Sequence, residues 1–339
     1  MEFNGILNII IERAKGKKQR IVLPESQDVR ILEAAKVCSE KDIADIILIG
    51  DRDTIISDCN KNNIDLDFSK VTIENPLASN NKEKYINAFY ELRKAKGISI
   101  EDATNILKNN VYFGTMMVKL NDADGLVSGA VHSTADTLRP ALQIIKGKPG
   151  IKTISSFILV ETANKDLGED GVLVFSDCGL IEFPTEDELV EIVKASRKSF
   201  RSLVQKEEKI ALLSYSTKGS AKSEAINKLG RVLERVKQEN DAIVIDGELQ
   251  LDAAIIPEVA KLKAPDSKVA GHANILIFPE LEAGNIGYKL VQRFGNALTL
   301  GPITQGLDKP INDLSRGCSA KDVIGAIAIT CVQAQEENN

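Results

Sequence analysis

Short runs of β-branched and aliphatic residues alternate with longer amphipathic stretches along nearly the whole chain, and this alternation constrains the fold more than any other feature. Arg20–Leu23, Asp45–Ile49, Gly125–Ser128, Thr153–Val160, Val172–Phe175, Ile210–Tyr215, Ala242–Ile245, Asn274–Phe278 and Leu298–Leu300 read as strands. Val29–Ser39, Glu83–Lys96, Glu186–Leu203, Ala221–Gln238, Ala253–Lys261, Leu281–Phe294 and Ala320–Gln335 read as helices. Strands separated by helices pair in parallel through right-handed crossovers, so the expected class is α/β with mainly parallel sheets. A chain of 339 residues exceeds what one core covers well, which predicts two domains. Turn clusters at Lys146–Lys152 and Gly301–Gly306 suggest two crossings between them. The expected first domain is discontinuous, 1–148 plus 304–339, with the last helix returning to it; the second is 149–303.

Composition narrows the function by exclusion. The net charge is −6, there is no Trp and aromatic residues make up only 4%, which argues against a nucleic-acid partner. The basic run Arg13–Arg20 reads as a solvated helix end and linker, with a nucleic-acid patch as the alternative. Five scattered Cys without a C-x-x-C pair, and only two His, speak against a disulfide framework or a bound metal. No long apolar run or secretory pattern appears, so the expected setting is cytoplasmic, reduced and away from the membrane. Phosphate-loop, dinucleotide, zinc-protease and hydrolase signatures are all missing, with Lys218-Gly219-Ser220 in the wrong order for a phosphate loop.

Two junctions remain as candidate chemistry. In Asp124–Thr134 an apolar strand runs into Ser128-Gly129, where the missing side chain would let a ligand approach the backbone, and a helix starts near Ser133 or Thr134. A helix start offers unpaired N–H groups to a phosphate; equally, Ser133 and Asp136 have the spacing of a capping box. In Asn312–Ser319 a hydroxyl, a guanidinium and a glycine follow one another as Ser315-Arg316-Gly317 before another helix. Arg is suited to gripping phosphate through paired hydrogen bonds. Ser319 and Asp322 again have capping-box spacing, and Cys318 reads as a packing residue. Arg93 shares a helical stripe with Tyr85, Ile86, Phe89 and Leu92, so it is expected to face inward, toward an anion or an internal ion pair. Arg139 precedes Pro140 in the helix that begins at the first junction.

The chain resembles the phosphate acetyltransferases of the short, catalytic-domain-only class. The resemblance is carried by Val22-Leu23-Pro24-Glu25, by Val127-Ser128-Gly129-Ala130-Val131-His132-Ser133-Thr134-Ala135-Asp136, by Asp246-Gly247-Glu248-Leu249-Gln250 and by Asn312-Asp313-Leu314-Ser315-Arg316-Gly317. It implies two α/β domains with a cleft between them, an architecture like that of isocitrate and isopropylmalate dehydrogenases, and a homodimer. The implied reaction is reversible acetyl transfer between coenzyme A and phosphate. Coenzyme A, acetyl-CoA, acetyl phosphate and inorganic phosphate would be substrates, with no bound cofactor. By the same resemblance Asp322 is the base for the coenzyme A thiol, and Ser315 and Arg316 hold and stabilise the reacting centre. Arg93, Arg139, Ser128, Gly129, Ser133 and Thr134 would contact substrate. A cysteine that some members carry is replaced here by the stretch Asn164-Lys165-Asp166, which favours direct thiolate attack on acetyl phosphate. An ordinary aspartate lies about 4.6 pKa units below an ordinary thiol, a gap of about 6 kcal/mol, so the site must shift one or both groups. Competing readings are a phosphate butyryltransferase, a non-catalytic acetyl-CoA-sensing domain and a decarboxylating dehydrogenase.

Overall fold

The computed structural model describes residues 1–337 as two compact units, each built on its own sheet. One unit runs from Met1 to Pro149 and resumes at Leu307; the other is Gly150–Gly306.

The first unit opens with α1 (Gly5–Gly16), β1 (Arg20–Leu23), α2 (Val29–Glu40), β2 (Asp45–Ile49), α3 (Arg52–Lys61) and β3 (Val71–Glu74). It continues through α4 (Lys82–Arg93), α5 (Ile100–Ile106), α6 (Asn110–Lys119), β4 (Gly125–Ser128) and α7 (Thr134–Pro140). All pairings in its sheet are parallel. Val22 and Leu126, buried on neighbouring strands, meet α6 at Gly114. A Cβ there would come within 2.7 Å of Val22 and 2.9 Å of Leu126, so only glycine lets the helix approach this closely.

The second unit contains β5 (Ser155–Glu161), β6 (Val172–Ser176), α8 (Glu186–Val204), β7 (Ile210–Leu213), α9 (Glu224–Glu239) and β8 (Ile245–Leu249). Then come α10 (Leu251–Ile255), α11 (Pro257–Lys263), β9 (Ile275–Ile277), α12 (Leu281–Phe294) and β10 (Leu298–Gln305). The order β10-β5-β6-β9-β7-β8 is mixed: β5 pairs antiparallel with both β10 and β6, and the rest are parallel. The α/β class expected from the sequence is therefore present, and this second sheet carries antiparallel strand pairs besides its parallel ones.

After β10 the chain forms β11 (Ile311–Asp313) and α13 (Ala320–Glu337) in the first unit, completing the order β11-β4-β1-β2-β3. Val323, Ile324, Ala326, Ile327, Ala328 and Ile329 are all buried, so α13 is apolar around most of its circumference, and it packs on α1, α2 and β4.

Val71–Glu74 forms β3 where no strand was expected, and β10 continues to Gln305 through the stretch read as a turn cluster at Gly301–Gly306. Two further strand readings need correction. The strand expected at Ala242–Ile245 lies at Ile245–Leu249, and Asn312-Asp313, read as loop, belongs to β11. Polar residues disguised both. Asp246 is paired with Lys218, and Glu248 accepts hydrogen bonds from Ser216 Oγ and the Gly219 N–H, each at 2.8 Å. Asn312 donates to Thr330 Oγ1 at 2.8 Å and to Gln333 Oε1 at 2.7 Å on α13. Buried strands tolerate such residues once every polar atom has a partner.

Candidate active site

In the first unit β1 leads outward to β2 and β3, whereas β4 and β11 lie on its other side. The carboxyl ends of β1 and β4 thus flank the point where strand order reverses, the usual ligand position in open α/β sheets. Asp313 of β11 stands in register with Ser128 of β4. The two junctions singled out in the sequence, 185 residues apart counting from Ser128 to Asp313, therefore emerge side by side.

The β11–α13 junction is a tight turn. The Cys318 N–H donates to the Ser315 carbonyl at 2.9 Å, leaving Ser315, Arg316 and Gly317 exposed. Arg30 braces the turn from α2: its Nη1 donates to the carbonyls of Arg316 and Cys318, at 2.8 and 2.9 Å, and its Nη2 to the Ala130 carbonyl at 2.8 Å. Asp28, the N-cap of α2, holds the other edge of that guanidinium. Arg30 thus joins both junctions, while the Arg316 guanidinium has no ion-pair partner among the described residues.

Asp322 closes a capping box with Ser319. Its Oδ2 accepts from the Ser319 N–H at 2.7 Å and from Ser319 Oγ at 3.0 Å, and the Asp322 N–H donates back to Ser319 Oγ at 3.3 Å. The carboxylate is half-buried, and Oδ1 makes no hydrogen bond among the described residues. The cap fixes the carboxylate and leaves one oxygen free. Cys318 is buried, and desolvation pushes its thiol up to about 11, which suits packing better than nucleophilic attack.

At the β4–α7 junction Ser133 caps α7, with its Oγ 2.7 Å from Asp136 Oδ2, and Thr134 Oγ1 donates to Asp313 Oδ2 at 2.6 Å. Asp313 is almost wholly buried and its Oδ1 has no hydrogen-bond partner among the described residues; desolvation raises its carboxyl to about 6. Arg139 is exposed and lies 3.5 Å from Asp136. Arg93 is half-buried, and its Nε is buried without a partner among the described residues. Both guanidinium groups act on Tyr112: burial raises its phenol, and Arg139 and Arg93 pull it back down.

Ser128 and Gly129, expected to meet substrate, are both buried at this junction. Ser128 is fully buried, with its hydroxyl 3.5 Å from Thr137 Oγ1. A Cβ on Gly129 would fall 2.3 Å from Asp313 Oδ1 and 2.6 Å from the Leu314 nitrogen. The glycine serves close packing of the two junctions. Glu25, Asp28, Arg30 and Asp313 were not among the expected site residues; Glu25 and Asp313 lie within segments that carry the family resemblance, whereas Asp28 and Arg30 carry no such signal.

The second unit holds a pocket of about 520 Å³ lined mainly by apolar groups, including Leu213, Tyr215, Leu251 and Phe278, with Lys228 and Glu280 at its border. It has no arginine. Among the described residues no group of three or more His, Cys, Asp or Glu side chains could hold a metal ion.

The family model described as phosphate acetyl/butaryl transferase matches residues 5–331. The chain belongs to this family. The phosphate acetyltransferase of Thermoanaerobacterium thermosaccharolyticum is 52% identical to it, across 98% of this chain and 100% of that protein. A phosphotransacetylase structure from Streptococcus pyogenes superposes with a TM-score of 0.90 at 42% identity, covering 99% of this chain and 100% of the other. The 4-hydroxythreonine-4-phosphate dehydrogenase of Klebsiella pneumoniae shares 11% identity at a TM-score of 0.51, covering 95% and 100%, and so shares the fold alone. As a member of the phosphate acetyl/butaryl transferases, the chain is an acyltransferase.

Proposed function

We propose that the chain transfers acetyl reversibly between coenzyme A and inorganic phosphate, with acetyl phosphate as the other substrate, at the paired junctions of β4 and β11. The observation that carries this reading is the register of Asp313 with Ser128, which sets the Ser315–Arg316 turn beside the α7 entrance. Asp322 Oδ1 is the proton acceptor for the coenzyme A thiol, and the capping bonds to Oδ2 hold that oxygen in place. Proton transfer from thiol to carboxylate leaves a thiolate, whose attack on the acetyl carbonyl forms the S–C bond. Collapse of the tetrahedral centre breaks the C–O bond and releases phosphate. Arg316, without an ion pair among the described residues, neutralises charge on the carbonyl oxygen and the departing phosphate, and Ser315 assists through its hydroxyl. Arg93 and Arg139 take the phosphate side, and the unpaired Nε of Arg93 supports that assignment. Ser133 and Thr134 shape the α7 entrance.

Acetyl is favoured over butyryl as the acyl group by the 52% identity to a phosphate acetyltransferase. We place the protein in the cytoplasm; among the described residues no helix is long and apolar enough to cross a membrane. A homodimer is supported by α12, where Ile286, Leu290 and Phe294 are 59%, 48% and 87% exposed at four-residue intervals along one stripe. The test is thioester formation from acetyl phosphate and coenzyme A, followed by ultraviolet absorbance without added metal, with butyryl phosphate in parallel. Rapid thioester formation from acetyl phosphate is expected. Turnover of butyryl phosphate alone would move the assignment to the butyryl enzyme, and silence with both would refute it.

A further inference from the structure

Glu25, just after β1, is wholly buried, and its carboxylate is surrounded by donors from the β4–α7 junction. Oε2 accepts from the N–H groups of Gly129 and Ala130, both at 2.8 Å. Oε1 accepts from those of Val131 at 2.9 Å and His132 at 2.8 Å. Four consecutive amides turned inward make the kind of concave nest that binds phosphate in other proteins. Here the chain's own carboxylate fills it.

The same Oε1 lies 2.7 Å from Nδ1 of the His132 ring. A carboxylate cannot donate, so Nδ1 carries the hydrogen of that bond. The tautomer is thereby fixed, and Nε2 becomes the outward nitrogen. It makes no hydrogen bond among the described residues, and the side chain remains 26% exposed. The ring belongs to the arginine side of the site: Asp136 is held down by its bond to Ser133 and further by Arg139 and His132, and Tyr112 feels Arg139 and Arg93.

We propose that His132 is a further substrate-contacting residue, its Nε2 hydrogen-bonded to a phosphoryl oxygen of phosphate or acetyl phosphate, with Glu25 as the positioning residue that fixes tautomer and ring direction. A neutral Nε2 accepts from a P–O–H group, and a protonated one donates to a P–O⁻ group. This rests on the acyltransferase reading above. It also explains why a junction with an anion nest needs no phosphate in that nest: the buried carboxylate converts four backbone donors into one aimed side chain.

The test separates anchoring from contact. In His132→Asn the amide can still donate to Glu25 but does not reach the Nε2 position, whereas His132→Gln reaches it. With wild-type turnover established first, His132→Asn should melt like wild type and raise KM for phosphate and acetyl phosphate about ten- to a hundredfold, leaving KM for coenzyme A unchanged. His132→Gln should recover part of that loss, and Glu25→Gln, which sets an amide donor against two N–H donors, should lower kcat and weaken phosphate together. An unchanged phosphate KM in His132→Asn, an equal rise for both substrates, or failure of that variant to fold would each overturn the inference. An inactive wild type would instead sink the acyltransferase reading itself.

Discussion

Asp313 shows how burial sets the character of a single group. Its carboxyl stands at about 6 against an ordinary 3.8, chiefly through desolvation, which the Thr134 bond only partly offsets. Between those values the folded chain retains a proton that the unfolded chain has released. Stability contributed by this group is therefore greatest below about pH 4 and falls as pH rises through about 6, by at most about 3 kcal/mol. Asp313→Asn, which cannot ionise, should lose that slope; denaturant unfolding at pH 4.5 and 7 checks it, and an unchanged slope would contradict the assignment. Thr134→Val removes one donor to the same carboxylate and should destabilise by about 1–3 kcal/mol in the same assay. Cys318 gives the opposite lesson: its buried thiol near 11 predicts that Cys318→Ala keeps most turnover, and a loss beyond about tenfold would restore it as a participant.

At the scale of elements, the long amphipathic helices and apolar strands were legible because their periodicity is local. Leu281–Phe294 coincides with α12, and Val29–Ser39 differs from α2 by one residue. β8 and β11 were obscured because the partners of Asp246, Asn312 and Asp313 lie far along the chain. The same limit hid Arg30, whose contacts with Ala130, Arg316 and Cys318 span 100, 286 and 288 residues. Spacing made the Ser319–Asp322 capping box and the Ser133 N-cap readable, yet it could not show that Asp322 keeps one oxygen free. Because Ser319 fixes that carboxylate, Ser319→Ala should cost about 1 kcal/mol of stability and also reduce kcat. A thermal melt paired with steady-state turnover decides this; lost stability with full activity would detach the cap from catalysis.

For the whole molecule, the decisive arrangement is a parallel sheet whose order reverses beside β1, so that segments near residues 25, 130 and 316 reach one end of it. No local pattern encodes that order, and α13, packed against α1, α2 and β4, ties the returning segment to it. The exposed stripe on α12 predicts a second copy of the chain as its cover. Leu290→Glu should shift sedimentation from dimer to monomer, and a wild-type monomer would remove that prediction. The proton-acceptor role of Asp322 is decided by Asp322→Asn, assayed for thioester formation and, separately, for coenzyme A binding by calorimetry. Turnover should fall by about a thousandfold or more, within the range expected for loss of a general base, with coenzyme A affinity nearly unchanged. Near-normal turnover in that variant would remove Asp322 as the base and with it the proposed site.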